Sequence, residues 1–203
     1  MRVADLAIAT DDALLAKGVA VAACQAHAPR AAAWRALARA CLILKEFADA
    51  EQAAEEANVL DPANASCWGY LALANLGQYE LGRAARLDRA EKCLEYATQL
   101  RLADGPLMVE TGRAFAEVDR LTAAESVLKA ATELPFGPHS SHARLALARV
   151  YARQNAHVEA ADEYATLLAV AEGADAELLR AEVEPVLSKL GHSFGELSAK
   201  CRA

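Results

Sequence analysis

The chain has 203 residues, of which 55% are apolar and 24% are charged, and its formal net charge is -7. That length can bury a real core, either as one domain or as a short repeat array, so the composition excludes a disordered tail. The acidic balance argues against general nucleic-acid binding, because affinity for phosphates depends on clustered Lys and Arg that release counterions.

The first 30 residues predict capping helices or a partial leading repeat. Thr10-Asp11-Asp12 supplies an N-cap for a helix that runs to about Ala28 and ends at Pro29. No basic segment followed by a long apolar run opens the chain, and the run Val19–Cys24 is too short to span a bilayer. We therefore expect neither export nor membrane insertion.

The best-preserved unit of the chain is Trp34–Pro62, which predicts two short packed helices closed by a proline turn. Trp68 follows Trp34 by 34 residues, and Leu71 repeats the place of Leu37. A bulky residue, small residues and a closing proline at this period resemble the tetratricopeptide repeat. The resemblance implies an all-α fold, a right-handed α-solenoid of antiparallel helix pairs with extra capping helices at both ends.

Four repeats are predicted within residues 31–172, at 31–64, 65–104, 105–140 and 141–172. In the second repeat, Ala90 echoes Ala50 but arrives six residues late, after an insert that follows Leu76. Such an insert lengthens the turn between the helices or the helix ends, and inserts often mark a binding face. Gly105-Pro106 opens the third repeat, because proline is well placed in a first helical turn.

Residues 173–203 lose the pattern, and we expect them to form C-terminal capping helices. Pro185 is predicted to kink the helix or to restart it, and Gly191 to end the next piece. A partner-binding helix is the alternative. Across the chain, eight large side chains are predicted to dominate the core: Trp34, Leu37, Trp68, Leu71, Phe115, Leu128, Tyr151 and Tyr164.

No catalytic motif is present: the sequence has no P-loop, no G-x-S-x-G, no G-x-G-x-x-G and no H-E-x-x-H. His139 and His142 lie three residues apart near a turn, but no further zinc ligand is close in sequence, so a surface role is favoured. The carboxylates of Trp34–Pro62 are predicted to form a solvated helix flank: Glu46, Asp49, Glu51, Glu55 and Glu56. We predict no enzyme activity, cofactor or metal.

The five cysteines include no C-x-x-C pair, and their number is odd. Free cysteine packs as a small apolar residue when it is buried, as we expect for Cys41 and Cys67. A reducing, cytoplasmic compartment is predicted.

Arginine supplies the candidate binding residues. In the repeat family that the chain resembles, first helices line a groove, and the residue five beyond the Trp place faces it. Those places hold Arg39, Leu73, Arg113 and Arg149, and Arg35 adds to the same face. A row of guanidinium groups suits carboxylate-bearing peptides, because each offers a planar bidentate fork. The alternative is that these arginines pair with glutamates of the chain itself.

Chaperone-binding members of the family grip a terminal carboxylate with Lys, Asn and Arg, but the matching places here hold Arg35, Arg39, Tyr70, Pro106 and Glu110. That clamp is therefore absent in its usual form. The segments Cys67–Ala74 and Ala90–Ala97 are similar to the C-terminal repeats of a cilia- and flagella-associated tetratricopeptide family of the motile axoneme's central apparatus. This similarity implies a place in a ciliary scaffold.

The expected function is non-catalytic: an interaction scaffold that holds a peptide or helix of a partner protein in a repeat groove. The alternative is a regulatory or substrate-recruiting domain of a larger enzyme, or a chaperone-type adaptor. An acidic partner and self-association both stay open. The expected location is the cytoplasm, or the ciliary axoneme if the narrower resemblance holds.

Overall fold

The computed structural model describes residues 12–26, 30–134 and 138–190. This part of the chain holds ten α-helices and no strand. In chain order the helices are α1 (Ala13–Cys24), α2 (Ala31–Ile43), α3 (Phe47–Leu60), α4 (Ala65–Glu80), α5 (Arg86–Gln99), α6 (Gly105–Glu117), α7 (Leu121–Thr132), α8 (Pro138–Arg153), α9 (His157–Leu168) and α10 (Gly173–Leu190). The chain divides into two compact units, Met1–Leu107 and Met108–Ala203, and the division falls inside α6.

In the first unit, each helix packs against the next one in sequence, from α1 to α5, and α2 also contacts α4. Two of these helices, α1 and α4, start at a residue whose side chain caps the helix. Asp12 accepts a hydrogen bond from the Leu15 amide at 3.0 Å, and Asn64 accepts one from the Ser66 amide at 3.1 Å. The predicted cap at Asp12 is therefore confirmed, while Thr10 and Asp11 lie outside the described residues. The predicted helix end near Ala28 is wrong, because α1 ends at Cys24.

In the second unit, α7 packs against α8, α8 against α9, and α9 against α10. A Cβ atom placed on Gly112 of α6 would lie 2.4 Å from Leu128 of α7, so these two helices also meet closely. Small residues recur at the matching place of every first helix, at Ala38, Ala72, Gly112 and Ala148, and all are buried. Close helix packing therefore rests on repeated small side chains.

In each helix pair, the turn between the two helices contains one residue with a left-handed backbone: Lys45, Gly82, Asp119 or Asn155. The next amide then bonds to a carbonyl five residues back, as Glu46 N–H does to Cys41 C=O at 2.9 Å. The same bond forms in the other three pairs, from Arg83 to Gln78, from Arg120 to Phe115 and from Ala156 to Tyr151. These helix ends are Schellman motifs, which satisfy otherwise unpaired carbonyls.

The insert of the second repeat is distributed between both helices and the turn. Relative to the first pair, α4 is three residues longer after its Trp, the turn 81–85 is two residues longer, and α5 starts one residue earlier relative to Ala90. The insert therefore lengthens both helix ends and the turn without displacing the small residues that pack in the interior.

The predicted core is right for Leu71, Phe115, Leu128 and Tyr164 and wrong for four other residues. Trp34, Leu37, Trp68 and Tyr151 are only partly buried. Trp68 shows the reason, because its indole Nε1–H donates to the Pro62 carbonyl at 3.3 Å and its ring stacks on the half-exposed Tyr96 at 4.7 Å. A tryptophan that must reach a polar acceptor stays at the edge of the core.

Helix α10 continues through Pro185, so of the two predicted outcomes, a kink or a restart, the restart is wrong. Val183, Val186 and Leu187 lie on both sides of the proline, and all three are buried in one cluster with Tyr164 and Leu167 of α9. Burial of this apolar face outweighs the loss of one backbone hydrogen bond. The predicted helix end at Gly191 lies outside the described residues.

Candidate functional site

In the first unit, the first helices of two pairs line a concave pocket of about 480 Å³. Its lining residues are Ala32, Arg35, Ala36 and Arg39 of α2, Ser66 and Tyr70 of α4, and Asn64 and Asp104 from the preceding turns. The pocket therefore contains both arginines that sequence predicts for the first repeat. Its walls are mostly polar, and Asp104 uses a carboxylate oxygen to accept the Leu107 amide at 3.2 Å.

The two arginines of this pocket differ in their pairing. Arg35 lies 3.8 Å from the Asp61 carboxylate, which also accepts a hydrogen bond from the Asn64 side chain at 3.0 Å. Arg39 is exposed and has no ion pair or hydrogen bond from its side chain within residues 12–26, 30–134 and 138–190. Arg39 thus offers an uncompensated guanidinium to solvent.

In the second unit, α6 and α8 line another pocket, of about 430 Å³. Three arginines surround it, Arg113 from α6 and both Arg149 and Arg153 from α8. Its other lining residues are Ala116, Glu117, Leu128, Ala146 and Val150. We call this group the arginine pocket. Two of the groove residues predicted from sequence, Arg113 and Arg149, therefore share one concavity.

The arginines of the arginine pocket also differ in their partners. Arg149 donates to Glu182 of α10 through Nη2 at 2.6 Å and through Nε at 3.0 Å. Arg153 lies 3.1 Å from the Asp119 carboxylate and donates to the Ala116 carbonyl. Arg113 is exposed and has no partner in the described part of the chain.

The Arg149–Glu182 pair changes the pKa of each member in the expected direction. The hydrogen bond from Arg149 lowers the pKa of the Glu182 carboxyl, and the same bond raises the pKa of Arg149. Tyr164 donates to Glu182 at 3.2 Å, and burial, together with the nearby carboxylate, raises its pKa to about 12. Glu182 is therefore held as a charged carboxylate by two donors.

Leu73, the predicted groove residue of the second repeat, is buried, with 6% of the residue exposed. A buried leucine offers almost no area to a partner, so the second repeat supplies no exposed group at this place. The reason is local, because α4 is buried along nearly its whole length, from Cys67 to Gln78.

Glu51 was predicted to lie on a solvated helix flank with four other carboxylates, and for this residue the prediction is wrong. It is buried, and its carboxylate accepts hydrogen bonds from Arg86 and Gln78, each at 2.6 Å, and forms an ion pair with Arg89 at 2.7 Å. Arg86 also donates to the buried Asn75 at 3.2 Å. The positive charge of Arg86, a residue of the insert, is therefore paired with a buried carboxylate of the first unit.

Sequence reasoning missed this cluster, although the regular spacing of its arginines was visible. Arg86 and Arg89 lie three residues apart, which places them along one side of α5, and Arg83 precedes Arg86 by three residues in the turn before that helix. The pairing of Arg149 with Glu182 had no such signal, since 33 residues separate the two.

Two negative findings concern the described residues alone. Within them, no three His, Cys, Asp or Glu side chains converge closely enough to hold a metal ion. His142 is exposed and lines a different pocket, with Leu145, Leu179 and their neighbours, while the side chain of His139 is outside the described residues. Over the same residues, every helix is too short or too polar to cross a bilayer.

Successive antiparallel helix pairs with small residues at each contact define the tetratricopeptide class of proteins. The solved structure of TTC0263, a thermophilic TPR protein from Thermus thermophilus, matches with a TM-score of 0.69 and 23% sequence identity. The match covers 92% of this chain and 96% of that one. The predicted fold class, an all-α tetratricopeptide-type α-solenoid, is thus confirmed.

Residues 1–183 match the family described as the cilia and flagella-associated protein 70 C-terminal domain, and the chain belongs to this family. Over 95 residues, 47% of the chain, it is 37% identical to the cilia- and flagella-associated protein 70 of Homo sapiens and of Macaca fascicularis. These residues span only 8% of the human protein and 9% of the macaque protein. The resemblance to a ciliary tetratricopeptide family is confirmed.

Proposed function

We propose that this chain is a non-catalytic scaffold that binds an acidic peptide or helix of a partner protein and holds it within a ciliary or axonemal assembly. The tetratricopeptide fold supports an interaction scaffold, and this family and fold are typically non-catalytic. Membership of a family described by its ciliary and flagellar member supports the location.

One observation carries the binding part of the proposal: Arg39 lines the pocket of the first unit, exposed and without an internal partner among the described residues. Arg113 holds the corresponding place in the arginine pocket of the second unit, with the same lack of a partner there. A guanidinium group presents fixed donors that match a carboxylate in a bidentate fashion. Both pockets therefore favour peptide segments that carry carboxylates.

The test is co-sedimentation of the purified chain with demembranated axonemes from motile cilia. Wild type is compared with Arg39→Glu, Arg113→Glu and the control Lys92→Glu, which makes the same charge change at an exposed place on α5 outside both pockets. We expect each groove reversal to weaken binding about tenfold, which is about 1.4 kcal/mol, and the control to have little effect. Circular dichroism verifies that every variant is folded.

Two results would count against different parts of the proposal. If wild type does not sediment with axonemes, the ciliary assignment is wrong. If it sediments and both groove reversals bind like Lys92→Glu, the scaffold binds through another surface and the groove assignment is wrong.

A further inference from the structure

The arginine pocket combines positive charge with an apolar floor. Three guanidinium groups, from Arg113, Arg149 and Arg153, surround it. The floor consists of Leu128, Ala146 and Val150, which are buried, and Ala116, which is partly exposed. A cavity of about 430 Å³ with this lining accommodates a short stretch of peptide that carries carboxylates beside an apolar side chain.

One of the three arginines already binds a carboxylate of the chain itself. Glu182 on α10 meets Arg149 with both of its oxygens, Oε1 at 2.6 Å from Nη2 and Oε2 at 3.0 Å from Nε. This is the paired geometry in which a guanidinium binds a carboxylate most strongly. Tyr164 adds a third hydrogen bond to the same group.

The contact is also open enough to exchange. The Arg149 side chain is 48% exposed and that of Glu182 is 27% exposed, so water reaches both partners. Ion pairs at this exposure contribute little net stability, because solvent screens them and rehydrates the separated charges. A competing carboxylate therefore replaces Glu182 without leaving a buried charge unpaired.

We infer that Glu182 is an internal ligand of the arginine pocket, and that an acidic segment of a partner protein binds there by taking the place of Glu182 on Arg149. Arg113, which has no partner in the described residues, is the first contact for the incoming segment. The inference rests on the proposed function and deepens it, because it assigns the chemistry of the ligand and an intramolecular competitor. Helix α10 thereby lowers the affinity of the pocket for weakly acidic segments.

The expected partner segment carries at least two carboxylates and an apolar residue between them. The carboxylates satisfy Arg113 and Arg149, and the apolar residue contacts Ala116, the part of the floor that is not buried. A basic or uncharged segment is disfavoured, since it would remove Glu182 from Arg149 without replacing its charge. The segment shifts the equilibrium between the formed and the broken Arg149–Glu182 contact. It does so only to the extent that it binds the broken state more tightly.

The experiment measures fluorescence anisotropy of a fluorescein-labelled peptide, Glu-Glu-Leu-Glu-Glu-Leu-Glu-Glu, titrated with the full chain. Glu182→Gln keeps the shape of the side chain and removes its charge, so we expect tighter binding by about threefold to tenfold. The control is Glu184→Gln, an exposed neighbour on the same helix, which should bind like wild type. Adding Arg113→Glu to Glu182→Gln should abolish the gain.

A second readout depends on the mechanism itself. Saturating peptide should increase hydrogen exchange of the α10 amides in wild type, because the peptide releases Glu182 from Arg149. In Glu182→Gln the peptide should add no further increase, since that contact is already lost.

The failure of this inference is distinguishable from failure of the proposed function. If Glu182→Gln and Glu184→Gln bind the peptide equally while Arg113→Glu weakens binding, the pocket binds acidic peptides but Glu182 does not compete, and the inference is overturned. If Glu182→Gln gains affinity for a second copy of the chain, seen as dimers in sedimentation, the assigned partner class is wrong. Loss of axoneme binding in Arg39→Glu would support the proposed function and would not test the role of Glu182.

Discussion

The guanidinium Nη1 of Arg86 lies 2.6 Å from Oε1 of Glu51, and this contact joins the start of α5 to the middle of α3. Glu51 is buried, and Arg86 is mostly so. The insert that interrupts the second repeat thus supplies the counter-charge of a carboxylate in the first repeat. The six additional residues therefore tie two repeats together within the first unit.

Removing Glu51 should cost more stability than removing any exposed carboxylate of α3. Glu51→Ala removes the charged acceptor that Arg86 and Gln78 share in a poorly solvated place, so we expect a loss of about 2 to 3 kcal/mol in the free energy of unfolding. Urea unfolding followed by circular dichroism measures this. Glu56→Ala, an exposed change on the same helix, should stay within about 0.5 kcal/mol of wild type. Equal losses in the two variants would show that the Glu51 cluster adds no stability.

Gly112 gives a prediction in which the repeat pattern and the structure disagree. The pattern favours alanine, because the matching residues are Ala38, Ala72 and Ala148. In the structure, however, a Cβ atom at Gly112 would lie 2.4 Å from Cγ of the fully buried Leu128. We therefore expect Gly112→Ala to destabilise the chain by about 1 to 3 kcal/mol through overpacking.

The control for that substitution is Gly18→Ala in α1, where a Cβ atom meets nothing within 4 Å. Alanine at an exposed helix position should stabilise by about 0.4 to 1 kcal/mol, because it restricts the unfolded chain. Thermal unfolding of the two variants should therefore shift in opposite directions. A stabilising Gly112→Ala would mean that Leu128 moves aside at little cost.

The helix pairs could be predicted from the sequence because the residues that specify them are close together in the chain. The small residues at a fixed place in each first helix, the cap at Asn64 and the glycine that opens α6 are all readable from spacing and residue type. Arg113 and Arg149 were likewise placed on one face by their offsets, and the structure brings them into one pocket.

The pairing of arginines with carboxylates could not be predicted from the spacing of nearby residues. The partners of Arg149 and Glu51 lie 33 and 35 residues away, so only the packed fold decides which carboxylate meets which arginine. Burial of Trp68 was overestimated for a similar reason, because hydropathy alone ignores the hydrogen bond from its indole to the Pro62 carbonyl.

Lys45 occupies a left-handed turn position, with φ of 59°, where the equivalent turn of the second pair has Gly82. A side chain costs about 1 to 2 kcal/mol in this conformation, whereas glycine adopts it without strain. We expect Lys45→Gly to stabilise the chain by about 0.5 to 1 kcal/mol, after allowing for the greater entropy of unfolded glycine. Thermal melts should show no such gain for Lys45→Ala, which removes the charge and keeps the Cβ atom. An equal gain in both would trace the effect to the charge.

The buried cysteines should react slowly with alkylating reagents. Burial raises the pKa of the Cys24, Cys41 and Cys93 thiols to about 11, from an ordinary value of 9.0, and raises that of Cys67 as well. Two pKa units reduce the reactive thiolate about a hundredfold near neutral pH, and packing slows access further. Iodoacetamide labelling resolved by mass spectrometry should show this protection in the native chain and its loss in urea. Labelling of Cys93 at the denatured rate would contradict it.

The contact of α10 with Arg149 should weaken in acid. Arg149 lowers the pKa of Glu182 below its ordinary value of 4.5, so the carboxylate stabilises the fold above that pH and loses its contribution as the pH falls through the lowered pKa. Neither neighbour titrates in this range, because the pKa of Tyr164 is about 12 and that of Arg149 is raised. Wild type should exceed Glu182→Gln in stability by about 0.5 to 1 kcal/mol near neutral pH, since both partners are partly exposed.

That difference should shrink as the pH falls below about 4.5 and should also shrink in high salt, which screens exposed charges. Thermal unfolding of both proteins across the acid range measures it, with Glu184→Gln as the control that follows wild type. A difference between wild type and Glu182→Gln that stays constant with pH would mean that the carboxylate contributes by packing alone. In that case no charge would need to be displaced when a partner enters the arginine pocket.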